Sequence, residues 1–162
     1  MAESGHEDDP ALRLARRCAE AMWADDAASI GLGMRLAWVA PGCATVTMPA
    51  TDRMVNGHGI VHGGLVATLA DSAFAVACNT YGEVTVAAGF DVAFVAPSRL
   101  GDVLTAEATE RARFGRSGLY DVSVRATDPA GQVRLVAEFR GRSRSLGRPF
   151  PSLGDASEEA ST

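Results

Sequence analysis

Apolar residues recur at helical spacing near the start of the chain. From Pro10 onward, positions 12, 14, 15, 18, 19, 22 and 23 are apolar, which places them on one face of a helix. Asp9 is a candidate N-cap, and Pro10 falls at the first helical position, where its missing N–H has no intrahelical partner to lose. The pattern predicts an amphipathic helix that begins at residue 10.

A second apolar stretch, residues 62–79, has no polar face. It contains no proline, and its only charged residue is Asp71. Because apolar residues occur on nearly all sides, the pattern predicts a buried helix rather than an amphipathic one. Asn79 and Gly82 are residues suited to end it.

Shorter apolar runs between turn residues predict β-strands. Residues 34–39 and 43–48 flank a Pro-Gly turn and predict a β-hairpin, whereas residues 50–61 are Gly-rich and irregular. Four longer strands are predicted after the buried helix, at residues 85–96, 103–113, 119–127 and 133–145. An antiparallel sheet wrapped around one central helix is the simplest way to bury that helix, so the predicted fold class is α+β.

The two ends of the chain differ in composition from its middle. Residues 1–9 and 148–162 are polar and rich in small residues, and both are predicted to be mobile tails on one domain, residues 10–147. The first tail carries four acidic side chains and no Arg or Lys, and the second carries three acids and one Arg. The domain therefore has a net charge of +1, although the whole chain has −5. A nearly neutral domain with two Trp and two Tyr does not fit a nucleic-acid-binding surface.

Cysteine usage and hydropathy give an expected compartment. Cys18, Cys43 and Cys78 are too widely spaced for a disulfide framework or a zinc motif. No run approaches the roughly 18 apolar residues that a membrane helix needs. The acidic N-terminus is the opposite of a secretory signal. We therefore expect a cytoplasmic protein without membrane association.

Candidate chemistry concentrates where the irregular stretch meets the buried helix. Residues 56–64 read Asn-Gly-His-Gly-Ile-Val-His-Gly-Gly. A helix start presents unpaired N–H groups and a partial positive charge, which suit an oxyanion or a polarised carbonyl. Asp71 lies in a poor setting for a charge unless it has a function, although Thr68, Ser72 or a backbone group could satisfy it. Oxyanion donors together with a carboxylate base indicate hydrolysis of an acyl group.

The spacing of Gly63 and Asp71 constrains the assembly. The two residues are eight positions apart, which is roughly 12 Å along one helix. The reacting groups must lie within about 3–4 Å of one carbonyl carbon, so one chain cannot bring both to it. Two antiparallel helices across a twofold axis can do so. We therefore expect a homodimer with two composite sites.

Five motifs occur in register over nearly all of residues 10–147. They lie at residues 56–64, 69–75, 94–102, 115–122 and 139–144. In these motifs the chain resembles the hotdog fold, and specifically the PaaI-type acyl-CoA thioesterases of phenylacetate degradation. The resemblance implies hydrolysis of phenylacetyl-CoA or its ring-hydroxylated derivatives, no metal or redox cofactor, and dimers that pair into tetramers.

The resemblance also implies roles for individual residues. Asp71 resembles the catalytic carboxylate, a general base or a nucleophile, and Gly63 resembles the residue whose N–H polarises the thioester carbonyl. Asn56 and His62 resemble the polar pair that orients water and thioester. The residues expected to bind substrate or coenzyme A are Gly64, Phe90, Ser98, Arg99, Arg113, Gly115, Arg116, Ser117 and Gly118.

Arginine suits the phosphates of coenzyme A because its planar guanidinium binds phosphate through two parallel hydrogen bonds. One position departs from the family pattern. Some relatives hold a Ser or Thr that helps to seat the water near the start of the strand after the helix. Here the nearest positions are Ala87 and Ala88, and Thr85 precedes them.

Several alternatives stay open at this level. A hotdog domain that senses acyl-CoA without hydrolysing it needs no buried carboxylate. A hydratase usually carries an Asp-x-Asn-x-x-His arrangement, which is absent. Short- or medium-chain acyl-CoA substrates stay open, because the acyl pocket is built from residues on three strands and a helix that the sequence does not place. Phe74, Phe90 and Tyr120 are candidates for lining it, although such residues more often belong to a plain core. His58 and His62 are four positions apart and invite a metal site with Asp71, but no fourth ligand is evident.

Overall fold

The computed structural model describes residues 9–150. The helices are α1 (Pro10–Ala24), α2 (Ala27–Gly31) and α3 (Gly63–Cys78), with a short 3₁₀ turn at Asp52–Met54. The strands are β1 (Arg35–Ala40), β2 (Cys43–Pro49), β3 (Glu83–Phe94), β4 (Val103–Phe114), β5 (Ser117–Thr127) and β6 (Val133–Pro149). Most of both predicted tails lies outside the described residues, and β6 continues two residues past the predicted domain end at 147.

The first helix begins as the sequence predicts. The Asp9 carboxylate caps α1 by accepting a hydrogen bond from the Ala11 N–H at 2.9 Å, and Pro10 is the first helical residue. The short helix α2 has no counterpart in the prediction. Its five residues are too few to show a periodic pattern, and it begins because Asp26 accepts a hydrogen bond from the Ser29 N–H.

All six strands form one antiparallel sheet. Their order is β1-β2-β4-β5-β6-β3, so the strand that follows α3 lies at an edge of the sheet. The predicted hairpin of β1 and β2 is confirmed, and Gly42 supplies the positive φ of 72° at its turn. The predicted strand positions are each within about two residues of the observed ones, except that β6 runs on by four.

Helix α3 packs across the sheet and fills the core. The rings of Phe74 on α3 and Tyr120 on β5 are 5.5 Å apart, and Phe74 is 5.8 Å from Phe139 on β6. The apolar pattern predicted a helix that is buried on all sides, and this prediction is wrong for one side of α3. Gly64 and Thr68 are exposed in the single chain and Asp71 is half-buried, because the sheet covers only one side of the helix.

The opposite face of the sheet carries ion pairs. Strand residues alternate between faces, so Asp121 points away from α3 while its neighbour Tyr120 is buried against it. Asp121 pairs with Arg111 and Arg140, both at 2.7 Å. The other pairs on this face are Asp91–Arg142 and Glu107–Arg125. Much of the Arg-rich second half is therefore a solvated face.

A methyl group added at Gly141 should destabilise the fold. A Cβ there would lie 2.8 Å from the Phe74 ring, and Phe74 is fully buried. We expect Gly141→Ala to lower the free energy of unfolding by about 1–3 kcal/mol, the cost of overpacking a core. Gly31→Ala is the matched control, because no atom lies within 4 Å of its Cβ position. Urea denaturation of both variants at one protein concentration checks this, and equal stabilities would contradict it.

Candidate active site

The start of α3 is capped by a histidine. The Gly64 N–H donates to Nδ1 of His62 at 3.1 Å, and His62 is exposed. The Gly64 donor is therefore already used, whereas the N–H of Gly63, the first helical residue, donates to no group among residues 9–150. The free donor at this helix end is the one that the sequence singled out.

Asn56 organises the loop before the helix. Its side-chain oxygen accepts hydrogen bonds from the N–H groups of His58 at 2.9 Å and Ile60 at 3.3 Å. Its backbone N–H donates to the Ile60 carbonyl at 2.8 Å. The side-chain oxygen is thus a loop cap, and within the described part of the chain the amide NH₂ has no acceptor.

A cavity of about 370 Å³ opens at this end of α3, and we call it the Gly63 cavity. Its polar wall consists of Asn56, Gly63 and Ser98. The rest of its lining is apolar: Ile60, Val61, Val66, Phe94, Val95, Ala96, Pro97 and Val136. The Phe94 ring lies against Gly63, because a Cβ at that glycine would be 3.0 Å from the ring. Phe94 was not predicted as a site residue, although it begins one of the five motifs.

Ser98 and Arg99 were both predicted to bind substrate or coenzyme A, but the structure buries Ser98 and exposes Arg99. Ser98 is 1% exposed, and its hydroxyl has no hydrogen-bond partner within the described chain. The Arg99 side chain is exposed, and its backbone N–H donates to the Asp102 carboxylate at 2.7 Å. Arg134 pairs with the same carboxylate and donates to the Pro97 carbonyl at 3.1 Å. This short loop is therefore held in place from several sides.

Asp71 carries an unsatisfied carboxylate. Its Oδ1 atom is buried and has no hydrogen-bond partner in the range 9–150, and burial raises the pKa of the carboxyl group above its usual value. The alternative in which Thr68 or Ser72 satisfies it is wrong. The Thr68 hydroxyl donates to the Gly64 carbonyl at 2.8 Å, and the Ser72 hydroxyl pairs with that of Ser29 at 2.9 Å.

A second cavity of about 520 Å³ lies at the other end of α3, and we call it the arginine cavity. Its lining includes four residues predicted to bind coenzyme A, namely Arg113, Gly115, Arg116 and Ser117. The remaining lining residues are Cys78, Tyr81, Glu83, Thr85, Phe114, Tyr120, Ser143 and Ser145. Since Gly63 and Cys78 are the two ends of α3, the cavities are separated by roughly 20 Å along the helix.

The arginine cavity has ordered walls. The Arg113 guanidinium lies 3.6 Å above the centre of the Tyr81 ring, and Arg116 Nε donates to the Ser145 carbonyl at 3.0 Å. Gly118 lies beneath this wall, where a Cβ would be 2.6 Å from the Ser143 hydroxyl oxygen. The Thr85 hydroxyl donates to the Glu83 carbonyl at 3.2 Å.

A partly buried tyrosine–glutamate cluster in the wall of the arginine cavity was not predicted. One Glu110 carboxylate oxygen accepts hydrogen bonds from Tyr81 at 2.9 Å and from Tyr120 at 2.8 Å. Burial, with Glu110 adding to it, raises the pKa of Tyr81 to about 12. The three residues are far apart in sequence, so no local signal could have linked them.

The candidate acyl-pocket residues belong mainly to the core. Phe74 and Tyr120 are at most 1% exposed. Phe90 stacks on Phe139 at 4.7 Å and remains 42% exposed at the sheet edge. Neither cavity includes these phenylalanines in its lining.

The structure adds two negative findings for the residues that it describes. No three His, Cys, Asp or Glu side chains within residues 9–150 come together as metal ligands, so His58, His62 and Asp71 do not form such a group. In the same residues, no helix combines the length and the apolar character required to cross a membrane.

Comparison with known proteins gives a family for these residues. Residues 58–131 match the family model described as "Thioesterase superfamily". Acyl-coenzyme A thioesterase PaaI of Escherichia coli strain K12 is 40% identical over 129 residues, which are 80% of this chain and 89% of that protein. Human acyl-coenzyme A thioesterase 13 is 30% identical over 105 residues, which are 62% of this chain and 71% of that protein.

A solved structure agrees with these matches. The E. coli PaaI protein from the phenylacetic acid degradation operon superposes with a TM-score of 0.80 at 38% identity. The match covers 85% of this chain and 97% of that one. The predicted hotdog fold is therefore confirmed.

Replacing the half-buried Asp71 carboxylate should stabilise the protein at neutral pH. Because burial raises the folded-state pKa of Asp71, its ionisation lowers the stability of the folded state as pH rises through that pKa. We expect Asp71→Asn to raise the free energy of unfolding at pH 7. The gain should vanish below about pH 4, the ordinary carboxyl pKa, where the carboxyl is protonated in both states. Thermal denaturation at both pH values measures this.

Asp91→Asn is the control, because that carboxylate is exposed and its ion pair is on the surface. Its stability should change by less than about 0.5 kcal/mol. A loss of stability in Asp71→Asn at pH 7 would show that the carboxylate is satisfied in the folded protein.

Proposed function

Because this chain belongs to the thioesterase superfamily and is a thioester hydrolase of the PaaI-like acyl-CoA class, we propose that it hydrolyses phenylacetyl-CoA or hydroxyphenylacetyl-CoA. The products are the free acid and coenzyme A. The name of the E. coli relative's operon supports an aryl substrate. Two groups without a hydrogen-bond partner among residues 9–150 support this chemistry. They are the Gly63 N–H, a free donor, and the Oδ1 atom of the Asp71 carboxylate.

We propose that the active site is shared between two subunits. Asp71 does not line the Gly63 cavity of its own chain, and the two residues are eight positions apart on one helix. Across a twofold axis, Gly63 of one subunit meets Asp71 of the other. The half-buried position of Asp71, beside the exposed Gly64 and Thr68, supports this contact.

The edge strand β3 supports the dimer. It pairs only with β6, so its outer backbone groups are left for another strand. Its large apolar side chains remain exposed: Val86, Phe90, Phe94 and the adjoining Val95 are between 42% and 57% exposed. A long exposed apolar edge is a site for pairing with another chain. We propose that β3 pairs with β3 of a second copy, and that dimers associate further into tetramers.

The reaction needs only groups that this arrangement supplies. The thioester carbonyl accepts a hydrogen bond from the Gly63 N–H, which strengthens as negative charge develops on the oxygen. Asp71 of the other subunit takes a proton from water, whose oxygen attacks the carbonyl carbon; alternatively, the carboxylate attacks that carbon itself and forms an acyl anhydride, which water hydrolyses after the thiolate has left. The C–S bond then breaks, and the coenzyme A thiolate leaves and is protonated. We propose that no metal or redox cofactor takes part, and that Asn56 and His62 orient the reactants.

The arginine cavity is proposed to receive the coenzyme A part. Arg113 and Arg116 give it two guanidinium groups, and Gly115 and Ser117 belong to the same wall. Phosphate is the substrate group that such donors bind best. The subunit that supplies Asp71 to the composite site also supplies the nearer arginine cavity. That cavity begins at Cys78, seven residues or about 10 Å beyond Asp71 on the same helix. Arg99, which is exposed near the Gly63 cavity, is an additional phosphate ligand in this proposal.

Release of free thiol tests the substrate proposal. We expect fast release from phenylacetyl-CoA and hydroxyphenylacetyl-CoA, and slower release from straight-chain acyl-CoA. Asp71→Asn should lower kcat by about 10²–10⁴-fold, because it removes the base or nucleophile and keeps the size of the side chain. Detection of free thiol in a stopped assay measures catalysis, and circular dichroism of the same samples shows whether the variant is folded. Faster release from straight-chain substrates would move the specificity to those acyl groups.

Complementation of two inactive variants tests the shared site. Gly63→Pro removes the oxyanion donor and suits the first helical position; the preceding His62 has a ψ of 128°, which proline tolerates. We expect it to lower kcat by about 10²–10³-fold. Gly63→Ala is its control, because it meets the same Phe94 contact and keeps the N–H. Refolding Gly63→Pro together with Asp71→Asn should restore activity, since each heterodimer then contains one intact composite site.

Heterodimers separated by two different affinity tags give the cleanest readout. They should show about half of the wild-type activity per dimer, whereas each parent homodimer stays inactive. Inactive heterodimers would place Gly63 and Asp71 of one chain in the same site, and the shared-site proposal would be abandoned.

A further inference from the structure

A β-bulge in β4 turns Arg113 toward the arginine cavity. In the register of β4 and β5, Glu110 is opposite Tyr120. Arg113 is opposite Gly118, so three positions along β4 correspond to two along β5. Because cross-strand partners share a face, Arg113 lies on the α3 side of the sheet together with Gly118 and Tyr120. Without the bulge, its side chain would point to the outer face, and bulges commonly re-aim a side chain next to a functional site.

On this side of the sheet, Arg113 contacts an aromatic ring instead of a carboxylate. Its guanidinium carbon is 3.6 Å from the centre of the Tyr81 ring. Among residues 9–150, no acceptor is bonded to the guanidinium N–H groups, whereas Arg111 on the outer face donates to Asp121 at 2.7 Å. A ring attracts a cation through its π-electrons without acting as a carboxylate or carbonyl acceptor. The N–H donors of Arg113 therefore stay available for a phosphate, which arginine binds through paired hydrogen bonds.

The Tyr81 ring is itself held at several points. Its hydroxyl donates to a Glu110 carboxylate oxygen at 2.9 Å, and the same oxygen accepts a hydrogen bond from Tyr120 at 2.8 Å. Tyr120 is fully buried in the core, so it anchors the carboxylate. Gly42, in the turn between β1 and β2, closes another side, because a Cβ there would lie 2.7 Å from the Tyr81 hydroxyl oxygen. The ring therefore has little freedom to move, and Arg113 rests on a fixed surface.

We propose that Tyr81 is a positioning residue, which Glu110 holds in place and which keeps the Arg113 guanidinium in the arginine cavity to bind a phosphate group of coenzyme A. This inference rests on the proposed function. An arginine side chain that is already ordered loses less conformational entropy when a phosphate binds, so its affinity for the phosphate is higher. Tyr81 acts through Arg113 and contacts neither the acyl group nor the thioester. It therefore contributes to the binding of coenzyme A and not to the chemical step.

Calorimetric binding of free coenzyme A to the full-length protein tests this without turnover. Arg113→Gln should raise Kd roughly tenfold, as expected for a lost hydrogen bond to a charged group. Tyr81→Leu, which leaves Glu110 bonded to Tyr120, should raise Kd roughly two- to fivefold, the effect of one exposed cation–π contact. The double variant should match Arg113→Gln alone, because Tyr81 acts only through that side chain.

Two further variants define the contact. Tyr81→Phe keeps the ring and loses its bond to Glu110, so its Kd should fall between those of the wild type and Tyr81→Leu. Arg111→Gln is the matched control, because it removes an arginine from the same strand on the outer face, where Arg111 pairs with Asp121. Its Kd for coenzyme A should equal that of the wild type.

Ligands with fewer phosphates locate the effect. In Tyr81→Leu, KM for phenylacetyl-CoA should rise while kcat stays within about twofold of the wild type, as expected when only binding is lost. KM for S-phenylacetylpantetheine, which has no phosphate, should not change. Dephospho-coenzyme A, which lacks only the 3′-phosphate, identifies the group bound. If Arg113→Gln weakens its binding too, Arg113 binds the diphosphate, and if only coenzyme A is affected, it binds the 3′-phosphate.

An unchanged Kd in Tyr81→Leu, or no binding of coenzyme A to the wild type, would overturn the inference. Losses that add in the double variant would also overturn it, because Tyr81 would then contact the ligand itself. An equal loss on the pantetheine thioester would show general damage to the site and would have the same consequence. Failure of the proposed function is distinguishable: the wild type would release no thiol from any thioester, whereas coenzyme A would still bind and the variants would still weaken its binding.

Discussion

The packing of α3 across the antiparallel sheet is the interaction on which the rest of the structure depends. Phe74 fixes the depth of the helix between Tyr120 and Phe139, and Gly141 leaves room for its ring. The same packing sets both ends of the helix. Its N-terminus, at Gly63, opens into an apolar cavity, and its C-terminus borders an arginine-lined one. Because a helix is a rigid spacer, the distance between the two cavities is fixed.

The arginine residues of the sheet fall into two groups, one on its outer face and one on the side of α3. On the outer face, carboxylates and guanidinium groups neutralise one another in surface pairs, which contribute little to stability. On the side of α3, Arg113 and Arg116 have no carboxylate partner among the described ion pairs. These two guanidinium groups can therefore meet an anionic ligand. An arginine count alone could not have distinguished the two sets.

The candidate site consists of polar groups that the single chain leaves unsatisfied. The Gly63 N–H, one Asp71 oxygen and the Ser98 hydroxyl have no partner among residues 9–150. Each costs stability where it is buried. In the proposed function, the thioester carbonyl meets the Gly63 N–H, and water or the thioester carbon meets the Asp71 carboxylate. We propose that a second subunit completes this arrangement, because the exposed apolar edge strand and the half-buried Asp71 carboxylate would both be covered by a partner surface.

The sequence by itself determined the elements and the catalytic candidates, because those signals are local. Helical spacing after Asp9 predicted α1, an uninterrupted apolar run predicted α3, and the glycines at 63 and 64 marked a helix start. The tertiary structure alone decided which groups meet, because contacts between distant strands leave no local pattern. It linked Tyr81 to Glu110 and turned Ser98 inward, away from Arg99. It also showed which side of α3 the sheet leaves uncovered. The sequence could not predict that side, because a helix that is apolar on all sides has no polar face to mark it.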